Sequence, residues 1–267
     1  MRNTFGSLCA AALVVALVGC SPLGGVRSHD AMVTKLGSCS PTPCVAVSLS
    51  ALPVLPNSIP EQARSSIETE VKKVLYASLE VEGAEPSREN IVRELEERYK
   101  EYDSVSDAEV DWNLKRSASV LFSNPSVTAV EVYNEGYLGG AHGFNERSLM
   151  TFDSKTGHRL GVSDVVDESS QATLAKIVEA EFRRARSIRG GQSLQDAGFF
   201  VLPGQQLPLG ENFALTDNGL EIQYNPYEIA PYSMGETRVQ VPREAVEPLV
   251  KADLRGVFSS QVDGQKR

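Results

Sequence analysis

One histidine set among three glycines, in Tyr137-Leu138-Gly139-Gly140-Ala141-His142-Gly143, is the stretch of this chain best suited to chemistry. An imidazole can serve as a general base, and Glu146 and Asp153 come soon enough after it to orient one. A hydrolase would also need a nucleophile at a strained turn or a metal, and neither Gly-x-Ser-x-Gly nor His-Glu-x-x-His occurs. Any active site would therefore be dispersed, and a histidine bonding a turn is the commoner use. The glycines fit either a tight strand crossing or a surface that a ligand approaches closely. A phosphate-cradling loop needs a helix after it and usually a lysine, whereas the residues after Gly143 read as strand. Gly139, Gly140 and His142 are thus expected to shape a sheet and to offer a binding surface rather than to catalyse. We expect neither enzymatic activity nor a cofactor.

The second stretch with something to offer is Asn225-Pro226-Tyr227-Glu228-Ile229-Ala230-Pro231-Tyr232-Ser233-Met234-Gly235, aromatic and proline-rich without a regular period. Tyrosine gives large contact area at low entropy cost, so Tyr227 and Tyr232, held by Pro226 and Pro231, suit a recognition surface; rings packed beneath a loop are about as common. Arg183, Arg184, Arg186 and Arg189 cluster where a helix should end, and complementing its dipole is the expected role, with an anion site the rival. A metal would need ligands that the scattered His29, His142 and His158 do not supply locally.

The elements that must carry these stretches emerge from periodicity. Val45, Val47 and Leu49 alternate with small residues as a strand. Ile59, Ala63, Ile67, Val71, Leu75 and Leu79 recur at helical spacing behind a Ser58–Glu61 capping box, and a second helix starts at Ser87 with Ile91, Leu95, Tyr99 and Tyr102 buried. From Trp112 the period becomes two, with Trp112, Leu114, Ala118, Val120 and Phe122 on one side and Arg116 intruding among them. Strands over Val127–Tyr133 and Phe144–Phe152 come next, then a turn at Asp153–Gly157 and a helix near Ser170–Ile188. Short strands at Phe199–Val201 and Phe213–Leu215, strands at Leu220–Tyr224 and Arg238–Val241, and a helix from Arg243 to Leu254 complete the expectation: an α+β fold, an antiparallel sheet with helices packed on it.

With 267 residues and 41% hydrophobic residues the chain can bury one substantial core or two small ones. A net charge of −9 excludes a nucleic-acid partner and favours a basic one. The N-terminus has a positive start and about ten apolar residues from Leu8, the form of an export signal and too short to span a bilayer. Leu17-Val18-Gly19-Cys20 resembles the bacterial lipobox, which implies a signal over 1–19, fatty acylation of Cys20 and, with Ser21 next, an outer-membrane anchor facing the periplasm. Residues 20–38 read as a tether. Cys39 and Cys44 remain as an even pair in an oxidising compartment, so a disulfide is expected, worth about 2 kcal/mol by loop entropy. The expected division is 39–110 as N-terminal strand and helices and 111–260 as the main α+β part, together one unit.

The order of Tyr-Leu-Gly-Gly-Ala-His-Gly at 137–143, Asp-Ser-Lys-Thr-Gly at 153–157, Asp164-Val165-Val166 before a helix and the motif at 225–235 resembles the RsiV-like extracytoplasmic domain, weakly over the N-terminal helices and well from 130 onward. That family includes lysozyme-sensing ectodomains of anti-sigma factors, modules attached to peptidoglycan deacetylases and secreted mycobacterial proteins. The resemblance implies protein recognition, with a lysozyme-like muramidase as partner and no catalytic domain of its own. A peptidoglycan- or glycan-binding structural lipoprotein is the alternative, and a hydrolase with a dispersed site the third reading.

Overall fold

The computed structural model describes residues 32–36, 45–105 and 110–259, with only the backbone at 32–36 and 104–105. The expected signal, the expected acylation of Cys20 and the expected Cys39–Cys44 disulfide fall outside the described residues. Strands β1 (Met32–Leu36), β2 (Val45–Leu49), β3 (Trp112–Ser123), β4 (Val127–Tyr137), β5 (Phe144–Asp153) and β6 (Arg159–Leu160) form one sheet in that order. Strand β1 corrects the tether expected over 20–38: it pairs antiparallel with β2. The sheet is mixed, because β2 runs parallel to β3 while the other pairs are antiparallel. A parallel return needs a long crossover, which helices α1 (Glu61–Leu75) and α2 (Arg88–Val105) supply.

Helix α1 buries Ala63, Ile67, Val71 and Leu75 against Val47, Leu114, Val130, Met150 and Phe152 of the sheet. It starts at Pro60 without a side-chain cap, so the expected capping box does not form. At α2 the start is as expected, with the Asn90 amide donating to Ser87 Oγ at 3.2 Å. Arg116 does lie among the apolar residues, 5% exposed, and donates to the carbonyls of Leu75 and Ala77 that end α1. Burial lowers its pKa.

Phe122 departs from its expected side. The register slips between Val120 and Phe122, a bulge that carries Phe122 to the opposite face, where it packs with Ala129, Leu149 and Ala214. Those residues join the first sheet to a second one, made of β7 (Phe213–Thr216), β8 (Gly219–Tyr224) and β9 (Thr237–Pro242), all antiparallel. After the short α3 (Val162–Val165), helix α4 (Glu168–Ala185) lays Leu174, Val178 and Phe182 into a second core with Ile222, Tyr224 and Val239. Phe199 and Val201 are buried there without forming the strand expected of them, and the expected terminal helix is one turn, α5 (Arg243–Val246), succeeded by 3-10 turns.

Candidate functional site

The hinge between β4 and β5 is set by what lies under it. Gly139 has φ +78°, and a Cβ there would stand 2.7 Å from Trp112 Nε1, so both its conformation and its contact demand glycine. Gly140 does not share this: its φ is ordinary and the nearest heavy atom to a Cβ would be 3.9 Å away, which corrects the structural role expected of it. Gly136, just before the motif, and Gly143, at its end, are constrained as a pair, since a Cβ on either would strike facing backbone, the Asn113 carbonyl in one case and that of Gly136 in the other.

His142 projects from this hinge and meets the 225–235 loop. Its ring stacks on Tyr232 with centroids 3.7 Å apart and 16° between planes, and its Nε2 lies 3.3 Å from the Tyr227 hydroxyl. Nδ1 faces the Gly143 carbonyl at 2.7 Å, and because a carbonyl only accepts, this nitrogen carries the proton in that pairing. That tautomer leaves Nε2 as the acceptor for the Tyr227 hydroxyl. The Tyr232 hydroxyl donates to the same Gly143 carbonyl at 2.6 Å. Neither carboxylate expected to orient the histidine does so. Asp153 Oδ1 accepts from Lys155 and Thr156 in its own turn, and Glu146, two residues from Phe144 along β5, points to the helix side of the sheet. The imidazole is a stacking and bonding group here.

The loop is anchored by its middle. Ile229 and Ala230 are buried, while Tyr227 is 59% exposed and the Tyr232 ring half-buried. The rings are thus displayed on the surface, and the core beneath the loop is made by other residues. Tyr227 sits at φ +71°, a strained conformation for a bulky residue, held by its amide donating to the Ala230 carbonyl at 3.1 Å. Pro231 leads into the short 3-10 turn Tyr232–Met234, and Pro226 is partly covered in the turn before Tyr227. Of the arginine cluster, Arg186 reaches this loop, donating to the Met234 carbonyl at 2.9 Å, while Arg183 and Arg184 pair with Glu179 and Glu181 on their own helix.

What holds loop to hinge is a set of residues that sequence reading missed. Asn225 accepts from the Arg147 amide at 2.9 Å and donates to its carbonyl at 3.0 Å, and Asn212 accepts from the Leu149 amide at 2.6 Å, so two asparagines occupy the free edge of β5. Beside them Arg147 lies over the Tyr133 ring, 4.2 Å from its centroid, and pairs with Glu131 and Glu236 at 3.2 Å. Arg238 pairs with Glu131 at 2.6 Å and with Glu221 at 2.8 Å, the latter contact lacking the alignment of a hydrogen bond. Three carboxylates therefore share two guanidiniums across the joint between the sheets. Burial, with Glu131 nearby, raises the Glu221 pKa above its usual range. The only local signal for this network was charge on the alternating outward positions of β4, β5 and β9.

Toward β2 the second sheet no longer covers the first, leaving an open trough of about 430 Å³ with Tyr232 and Gly143 at one end. Among the described residues no group of histidines, cysteines and acids is arranged to hold a metal.

Residues 163–244 match the family described as "Protein of unknown function (DUF3298)". The matched segment contains α4, the second sheet and the whole 225–235 loop; the histidine hinge lies before it. Peptidoglycan-N-acetylmuramic acid deacetylase PdaC of Bacillus subtilis (strain 168) is 24% identical over 130 residues, 46% of this chain and 26% of that protein. The chain thus spans about a quarter of that relative's length. Two solved DUF3298-family proteins share the fold at 18% identity: one from Bacteroides fragilis, with a TM-score of 0.64 over 87% of this chain, and one from Pseudomonas aeruginosa PAO1, with 0.60 over 85%. In each case 97% of the solved chain is covered, so the α+β architecture is common to all three.

Proposed function

We propose that this is a non-catalytic, envelope-anchored binding protein whose recognition surface is the His142–Tyr232–Tyr227 cluster. The observation that carries the reading is the meeting of two segments 85 residues apart in an exposed, bonded aromatic stack, with one tyrosine held in a strained backbone. Rings already fixed by stacking and by bonds to Gly143 lose little freedom on binding, and pre-organised aromatic groups dominate protein interfaces. The anchor is the lipid on Cys20. Among the described residues no helix is long and apolar enough to cross a membrane.

The partner we propose is a basic secreted protein, a lysozyme-like muramidase. The net charge of −9 and the likeness of the 137–143 and 225–235 motifs to the RsiV-like family support this choice. Similarity to a peptidoglycan deacetylase favours a second reading, in which the domain binds peptidoglycan itself. Capture by immobilised lysozyme against co-sedimentation with purified sacculi separates the two. Retention on lysozyme, lost in Tyr227→Ala at an unchanged thermal midpoint, supports the first; sedimentation without retention supports the second.

A further inference from the structure

The open trough carries an arrangement that the aromatic cluster does not use. Across four strands the cross-strand register sets Ser48 beside Lys115, Lys115 beside Glu135, and Glu135 beside Asn145 in one row. All four point away from the helices, and three gaps of about 4.8 Å make the row roughly 14 Å long. Asn113 and Tyr137 form the next row, again as register partners. Lys115 and Glu135 satisfy one another at 2.9 Å. Among the described residues the side chains of Ser48, Asn113 and Asn145 make no hydrogen bond, although all three line the trough.

We propose that this trough binds a short acetamido-bearing oligosaccharide, a chain of N-acetylhexosamine type. Each side-chain amide offers one donor face and one acceptor face, the complement of the N–H and C=O of an acetamido group. The central row holds one cation and one anion, so it opposes a strongly charged ligand while giving sugar hydroxyls both a donor and an acceptor. Tyr137 and Tyr232 frame the floor with apolar ring surface for the C–H faces and methyl groups. The volume lies within the usual span of small-ligand sites, and its openness to solvent fits a chain that enters from the side. The site deepens the second reading above, in which the domain binds peptidoglycan, and rests on it: its floor is on β2, β3, β4 and β5, and Tyr232 is the one ring that it shares with the aromatic cluster.

Calorimetric titration of the full chain with tri-N-acetylchitotriose, with cellotriose as the competitor lacking acetamido groups, tests the proposal. Affinity in the range of about 1 mM or tighter is expected for the first and weaker affinity for the second. Asn145→Ala and Lys115→Met, both on the open face, should each weaken binding roughly fivefold or more without moving the thermal midpoint by more than a few degrees. Val81→Ser, on a distant exposed loop, should leave it unchanged. No binding at about 10 mM, equal affinity for cellotriose, or affinity unaltered in both trough variants overturns the proposal. Because lysozyme retention is read through Tyr227, which does not line the trough, its failure and the failure of this titration are separately visible.

Discussion

Two neighbouring glycines, identical in sequence terms, differ in what they are asked to do. Gly139→Val forces a β-branched residue into positive φ and into the Trp112 indole, so a loss of about 2–4 kcal/mol is expected. Gly140→Val meets open space and should melt within a few degrees of wild type; paired thermal scans check both. Tyr227 makes a complementary case. Its positive φ costs roughly 1–2 kcal/mol, so Tyr227→Gly should hold or slightly raise the midpoint while abolishing partner capture, a split that a residue serving the core would not show. Proline, tyrosine and glycine report their own local geometry, which is why the sequence pointed to residues that the structure brings together. Which of two adjacent glycines bears the strain depends on Trp112, about thirty residues away, and no spacing rule contains that.

At the scale of elements, the joint between the sheets depends on the shared charges of β4, β5, β8 and β9. A carboxyl whose folded pKa is raised favours the protonated form of the native state. Its cost to stability is absent below the unfolded value of 4.5 and grows as pH rises from there through the folded value. Glu221→Gln removes that cost while Glu131 still holds Arg238. The midpoint of the variant relative to wild type should therefore improve as pH rises above about 4.5; no change over that rise would mean that Glu221 is not penalised by the fold. Removing Arg147 should act in the opposite sense, costing roughly 1–3 kcal/mol at neutral pH, since Glu236 and Glu131 are left partly buried without it. Alternation alone was enough to find β2 to β5, β8 and β9, and four-residue spacing to find α1, α2 and α4. It failed at the bulge, where one extra residue turned Phe122 over, and at Met32–Leu36, whose pairing with β2 is set by a neighbour and not by its own pattern. The ion network joins Arg238 to Glu131 across 107 positions, beyond the reach of any window.

The whole molecule is two cores divided by one sheet, with the proposed recognition surface and the trough both on the side where the second core stops short. A lipid on Cys20 would put about a dozen residues between the membrane and β1, so the domain would stay near the bilayer. Mass spectrometry of the mature N-terminal peptide should find Cys20 first and acylated, and an unmodified Cys20 or a different start removes the anchor from the proposal. The indole beneath Gly139 belongs to the chain's sole tryptophan, 3% exposed and with Nε1 lacking a hydrogen-bond partner among the described residues. A buried indole without a polar partner emits at short wavelength, and water admitted to its N–H shifts that emission to the red. The protein thus carries an intrinsic optical probe under its own hinge, able to report in real time whether an arriving partner leaves the glycine turn seated or lifts it.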